Sequence, residues 1–305
     1  MTGVPDESPA PAAAAGLAAA ILSYVTWGLS PLFWKLLTHV DAMETLAHRY
    51  LWTLPFTLLA VVAMRRRAQF ATLAASRRDV GLLAVSAAML AVNSGTYLWG
   101  VNHDRIVEAS LGYFLTPLLT VLFGLLLFRE RLRPWQWVAV ALAAAGVLNL
   151  VATHGIFPWV GLVVGTSFAT YGAVRKLVPI GSVAGFFAET VLIAPVALIF
   201  LGGVALSGGG AFGGIDRVTD LLLIGGGLVT AVPFLLYVVG ARRLRLATVG
   251  LLFYINPSLQ FVIGAFLFDE PVTAAHLVTF GLIWSGLAIY SVESRLRMRR
   301  AAPVL

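Results

Sequence analysis

Long apolar stretches alternate with short polar connections along almost the whole chain, and ten of these stretches have the length of a membrane-spanning helix. They cover residues 17–37, 45–64, 80–101, 106–128, 135–152, 156–174, 183–206, 221–241, 246–268 and 274–292. Crossing a hydrocarbon core of about 30 Å takes roughly 20 mostly apolar residues. The pattern predicts an all-α integral membrane protein with ten transmembrane helices. The fifth and sixth stretches are the least separated, with His154, Gly155 and Pro158 between them. Residues 1–16 are rich in Pro and Ala and carry Asp6 and Glu7 without a basic residue, so they lack the positive n-region of a secretory signal. They read as a disordered tail, and 293–305 as a basic cytoplasmic tail.

Composition agrees with a bilayer as the main solvent. Of the 305 residues 59% are hydrophobic and 11% charged, against about 25% charged in a typical soluble domain. The net charge of +7 does not point to nucleic acid, because the basic residues form no contiguous face. They cluster in alternate connections instead. Arg65, Arg66, Arg67, Arg77 and Arg78 follow the second stretch; Arg129, Arg131 and Arg133 the fourth; Arg175 and Lys176 the sixth; Arg242, Arg243 and Arg245 the eighth; Arg295, Arg297, Arg299 and Arg300 the tenth. The opposite side holds Lys35, Arg105 and Arg217. Seventeen against three places both termini in the cytoplasm of a bacterial inner membrane. Cysteine is absent, which excludes disulfides, thiolate metal sites and cysteine nucleophiles.

The two halves repeat one another. LGYFLTPLLTVLFGLLLFRE in the fourth stretch corresponds to LLFYINPSLQFVIGAFLFDE in the ninth, with Pro117/Pro257, Gly124/Gly264, Phe128/Phe268, Glu130/Glu270 and Gly146/Gly286 all 140 residues apart. SYVTWG at 23–28 matches SFATYG at 167–172. Five helices per repeat is an odd number, so the second repeat (156–292) enters the membrane upside down relative to the first (17–152). Inverted repeats flanking a midplane site are a recurring plan of secondary transporters.

Ten spans, the five-helix duplication and Gly-containing fourth and ninth helices running into F-x-E resemble the EamA branch of the drug/metabolite transporter superfamily. SYVTWGLSPLFWKLL, ETLAHRYLW and NSGTYLWGVNHDRIVEASLGYF are similar to its RarD-type members. The resemblance spans about Leu17 to Arg295. It implies a plasma-membrane permease of a group associated with chloramphenicol sensitivity or resistance, and implies no particular substrate.

No enzyme signature stands in the chain: no G-x-S-x-G, no H-E-x-x-H, no phosphate-cradling glycine loop, and no histidines at metal-ligand spacing. No cofactor or metal is expected. The expected partners are a small-molecule substrate, the lipid bilayer and, through Glu189, protons. Glu189 is the one carboxylate well inside a predicted span, a costly placement that marks either a proton-coupling group or a structural pair with Arg175 or Arg242. His48 and Arg49 begin the second span, with Glu44, His48 and Trp52 on one face. Arg49 and Glu108 read as an outer gate or a snorkelling anchor. Trp27, Asn93, Tyr97, Tyr113, Thr116, Tyr254, Asn256, Ser258 and Gln260 supply the polar and aromatic density expected of a substrate cavity. Pro117 and Pro257, each at the middle of its span, are expected to bend their helices and act as hinges. The reading is a secondary transporter of a small organic solute. A membrane-embedded lipid-modifying or scaffold protein is the other class these features fit.

Overall fold

The computed structural model describes residues 9–66, 69–70, 73, 76–128, 132–154, 157–244, 248–249 and 252–301. Their regular structure is helical: α1 (Pro9–Trp34, continued by a 3₁₀ turn to Leu37), α2 (Ala42–Ala63), α3 (Arg77–Asn102), α4 (Ile106–Phe128), α5 (Pro134–His154), α6 (Trp159–Arg175), α7 (Ser182–Leu206), α8 (Arg217–Arg243), α9 (Ile255–Val262) and α10 (Ala274–Ala301). Eight of these are long and apolar enough to cross a membrane; α6 has 17 residues, and α9 with the π turn that follows it (Ile263–Leu267) makes a shorter apolar helix. The outward face is apolar, as lipid requires, with Ile199 and Phe266 about three-quarters exposed. Polar caps stand where helices leave that environment. Asp41 accepts from the Met43 and Glu44 amides, Ser76 from Asp79, and Asp216 from Thr219.

Two expectations change. The tail expected over 1–16 is helical from Pro9, because proline suits a first helical turn and the alanine run after it has the highest helix propensity. Helix α10 runs on through the basic residues to Ala301. The ninth predicted helix is interrupted: residues 248, 249 and 252 are helical, a turn follows at Phe253 and Tyr254, and α9 restarts at Ile255. Pro257 explains the restart. It has no amide hydrogen and disfavours helical geometry at the residue before it, so it is accommodated in a first turn, where amides lack intrahelical acceptors anyway. Pro117, by contrast, lies inside the unbroken α4. Glu130, Arg129, Arg131, Arg67 and Arg245 lie outside the described residues.

Packing joins elements far apart in sequence. Helix α1 packs on α8 and α9, α6 on α3 and α4, α2 on α7 and α8, α3 on α7, and α5 on α10. Small residues set the closest approaches. A Cβ at Gly165 would stand 2.7 Å from the Gly112 carbonyl oxygen in the α4–α6 contact. In the α5–α10 contact, Gly286 meets the Ala139 carbonyl and Gly146 the Thr279 carbonyl, at 2.8 and 3.1 Å from a Cβ. Such backbone approach is how membrane helices gain van der Waals contact when lipid is as apolar as they are.

This packing predicts opposite signs for two glycine substitutions. Gly165→Ala should destabilise the detergent-solubilised protein by roughly 1–3 kcal/mol through overpacking, read as a lower thermal midpoint. Gly281→Ala, where a Cβ meets nothing within 4 Å, should be neutral or raise the midpoint, since alanine favours helix by about 0.5–1 kcal/mol. An unchanged midpoint for Gly165→Ala would remove the close-contact explanation.

Candidate functional site

Between the helices lies a cavity of about 530 Å³, walled by α1, α2, α3, α4, α6, α7, α8 and α9; α5 and α10 pair off outside it. It reaches the end of the bundle that carries the α6–α7 connection, where Gly172, Lys176 and Ser182 line it and are exposed. Towards the opposite end it is sealed by a buried cluster drawn from the ends of six helices, including Trp34, Leu37, Tyr97, Val101, Ile106, Val160 and Leu223.

The wall is aromatic with a polar seam. Tyr113 donates to Asn93 Oδ1 (3.2 Å), Asn93 donates to the Val164 carbonyl (2.9 Å), Ser30 and Tyr97 share a hydrogen bond of 3.1 Å, and Gln260 donates to Asn256 Oδ1 (2.8 Å). The Oε1 of Gln260, buried on a residue 2% exposed, has no partner among the described residues. Arg49 reaches into the cavity from α2. Its Nε donates to Thr230 Oγ1 at 2.9 Å and its guanidinium stands 5.2 Å over the Trp34 ring. Thr230 in turn donates to the Gly226 carbonyl, which leaves its oxygen lone pairs aimed at Arg49. Behind the wall Glu189, fully buried, holds Arg175 Nε at 3.2 Å and accepts from Ser86 (2.5 Å) and Tyr171 (3.4 Å).

At the sealed end, carboxylates satisfy backbone amides. Glu270 accepts from the Ile106 and Val107 amides at 2.7 Å each, tying the chain after α9 to the first turn of α4. Burial pushes its carboxyl above its ordinary value, against the two amides that pull it down. Glu108 accepts from the Val160 amide at 2.8 Å and pairs with Arg105 at 2.9 Å, tying α4 to the start of α6. Glu44 accepts from the Ala211 amide at 2.6 Å. Lys35 pairs with Asp104. A helix N-terminus carries partial positive charge, so Glu270 and Glu108, on the amides that start α4 and α6, are favourably placed.

Of the residues expected in the cavity, Trp27, Asn93, Tyr97, Tyr113, Thr116, Asn256 and Gln260 line it, and Tyr254 and Ser258 do not. The restart of α9 sets this. Asn256 and Gln260, four residues apart, share the inward face, Ser258 between them is exposed, and the Tyr254 ring stacks with Phe114 on the side of α10. The expected Arg49–Glu108 pair is not formed, since Glu108 is saturated by Arg105 and Val160 and Arg49 turns to Thr230 and Trp34. His48 faces Glu44 at 3.9 Å and stacks on Phe212, away from the cavity. Glu189 pairs with Arg175, one of the two arginines anticipated for it. Pro117 is half-buried and Pro257 buried beside the cavity wall. Sequence reasoning missed the Glu270 clasp, although its F-x-E repeat was in view, and missed Ser86 and Tyr171 as partners of Glu189. Among the described residues no group of His, Asp or Glu could hold a metal ion.

This arrangement can be set beside known proteins. Residues 14–152 match the EamA-like transporter family. The protein RarD of Streptomyces exfoliatus is 40% identical over 290 residues, covering 93% of this chain and 92% of that one. The protein RarD of Escherichia coli strain K12 is 37% identical over 287 residues, covering 94% and 97%. A solved crystal structure, 19% identical, shares the fold with a TM-score of 0.56 over 94% of this chain and 99% of its own. The chain belongs to the RarD-type members of the EamA-like transporter family.

Proposed function

We propose that the protein is a secondary transporter that moves a small organic solute by alternating access between two inverted five-helix repeats. The observation that carries this reading is the cavity itself, sealed at one end by carboxylate–amide clasps between helices and open at the other. The helix pairing supports the repeats. Exchanging each helix for the one five places along turns the α1–α8 contact into α6–α3, α1–α9 into α6–α4 and α2–α8 into α7–α3, while α2–α7, α4–α9 and α5–α10 map onto themselves. Gly146 and Gly286, 140 residues apart, occupy equivalent sides of the α5–α10 contact. The open end carries the basic connections, so the positive-inside rule makes it cytoplasmic and makes this an inward-open state. Pro117 and Pro257 are the hinges in this account, one within α4 and one at the restart of α9. Glu189 is the coupling group, protonated and released from Arg175 in one half of the cycle.

Topology is testable because the chain has no cysteine. Single cysteines at Ser76 and Gly209 should label from opposite faces of intact cells; labelling from one face would end the inverted-repeat reading.

Transport is tested in proteoliposomes given a mixture of small organic solutes, with and without an imposed pH gradient, and followed by mass spectrometry. At least one solute should accumulate only in vesicles that contain the protein and only with the gradient. Glu189→Gln should abolish that accumulation while leaving solute exchange without a gradient measurable. Gradient-driven uptake at the wild-type rate by the Gln variant, with only a lower thermal midpoint, would make the Glu189–Arg175 pair structural. No protein-dependent movement of any solute would favour a scaffold.

A further inference from the structure

The cavity wall carries three cationic side chains, Arg49, Arg175 and Lys176, and among the described residues no carboxylate lines it. Arg175 is matched by Glu189 behind the wall, and Lys176 stands at the exposed mouth. Arg49 is different. It sits deep, against the sealed end, and makes no ion pair among the described residues; its one hydrogen bond uses Nε. Among the described residues the two terminal nitrogens of the guanidinium have no acceptor and are left to the cavity. An arginine stays charged at any physiological pH, and an uncompensated charge at membrane depth is costly unless something meets it. The Trp34 ring offsets part of that cost through its π face. Thr230 fixes the fork's direction, so the geometry is held ready rather than collapsed onto the wall.

We propose that Arg49 is the anchor for an anionic group on the transported solute, so that the cavity takes organic monoanions: a carboxylate, or an oxyanion of similar shape, on a planar apolar body. Two parallel N–H donors match a carboxylate's two oxygens. The body meets an aromatic wall in which Trp27, Phe168 and Phe253 stand, with the Phe168 and Phe253 rings nearly parallel, 6.2 Å apart at 16°. A second charge of positive sign on the solute finds no carboxylate among the described residues of the wall, so zwitterions and cations are disfavoured relative to the simple acid. Carriage of the anion rests on the proposed transport function, whereas its binding at Arg49 does not.

The test uses one ring system in four charge states: indole-3-propionate, its primary amide, tryptamine and tryptophan. Binding to the purified full chain is read by thermal shift and by isothermal titration calorimetry, with chloride and inorganic phosphate as controls. Indole-3-propionate should bind at least tenfold tighter than its amide and tighter than tryptophan, and tryptamine most weakly. Arg49→Gln should remove the preference for the acid while changing affinity for the amide less than threefold. Arg49→Lys, which keeps the charge and loses the fork, should retain part of the preference and serves if the Gln variant does not fold. Equal binding of acid and amide, a preference for tryptophan or tryptamine, no binding of any of the four, or a shift matched by chloride alone would each overturn the proposal. Proteoliposomes separate it from the transport reading. An acid bound through Arg49 but never carried across leaves the anchor standing and sinks transport, whereas a solute carried with no preference for the acid does the reverse.

Discussion

Hydrocarbon has no hydrogen bonds to offer, so every backbone group that leaves the regular helical ladder must find a partner inside the protein. In this chain several such groups lie at the sealed end of the cavity. The amides at the start of α4 are taken by Glu270, an amide at the start of α6 by Glu108, and the Ala211 amide by Glu44. Each clasp joins elements distant in sequence, the farthest 167 residues apart. A closed end built from such contacts is firm while closed, and water reaching it can satisfy the same amides and carboxylates once the helices part. That is the physical requirement for a gate.

The cavity has a matching economy of charge. Glu189 neutralises Arg175 from behind the wall, leaving Arg49 as the one deep cation without a protein counter-ion among the described residues. Aromatic rings and hydroxyls complete the lining, so the space is wet enough for a polar group and apolar enough for an organic body. The long apolar faces of the helices meet lipid, and the small residues at Gly112, Gly165, Gly146 and Gly286 let helices approach where they meet each other.

Much of this is legible in the residues because lipid enforces a simple rule: a spanning helix must be apolar along its length. The helices follow that rule, and the family follows from the motifs within them. Hydropathy is blind to backbone continuity, which is why α9 reads as one helix although Asn256-Pro257 restarts it and turns Tyr254 and Ser258 out of the cavity. Positions along a span say nothing about lateral neighbours. They therefore join Arg49 to Glu108, whose true partners are three residues away on its own helix and at the tip of α6. Glu270 looks like a loop acid because the amides it satisfies lie 164 and 163 residues earlier.

The central claim is that one cavity is opened alternately to the two faces. Pulsed electron–electron spin-resonance distances test it on the chain without native cysteine, with spin labels at Thr38 and Phe157 across the sealed end and at Thr120 and Ser182 across the open mouth, all four positions exposed. Changing pH or adding the transported solute should lengthen the first distance in the same population in which the second shortens. Distances that stay fixed, or that lengthen and shorten together, would contradict alternating access.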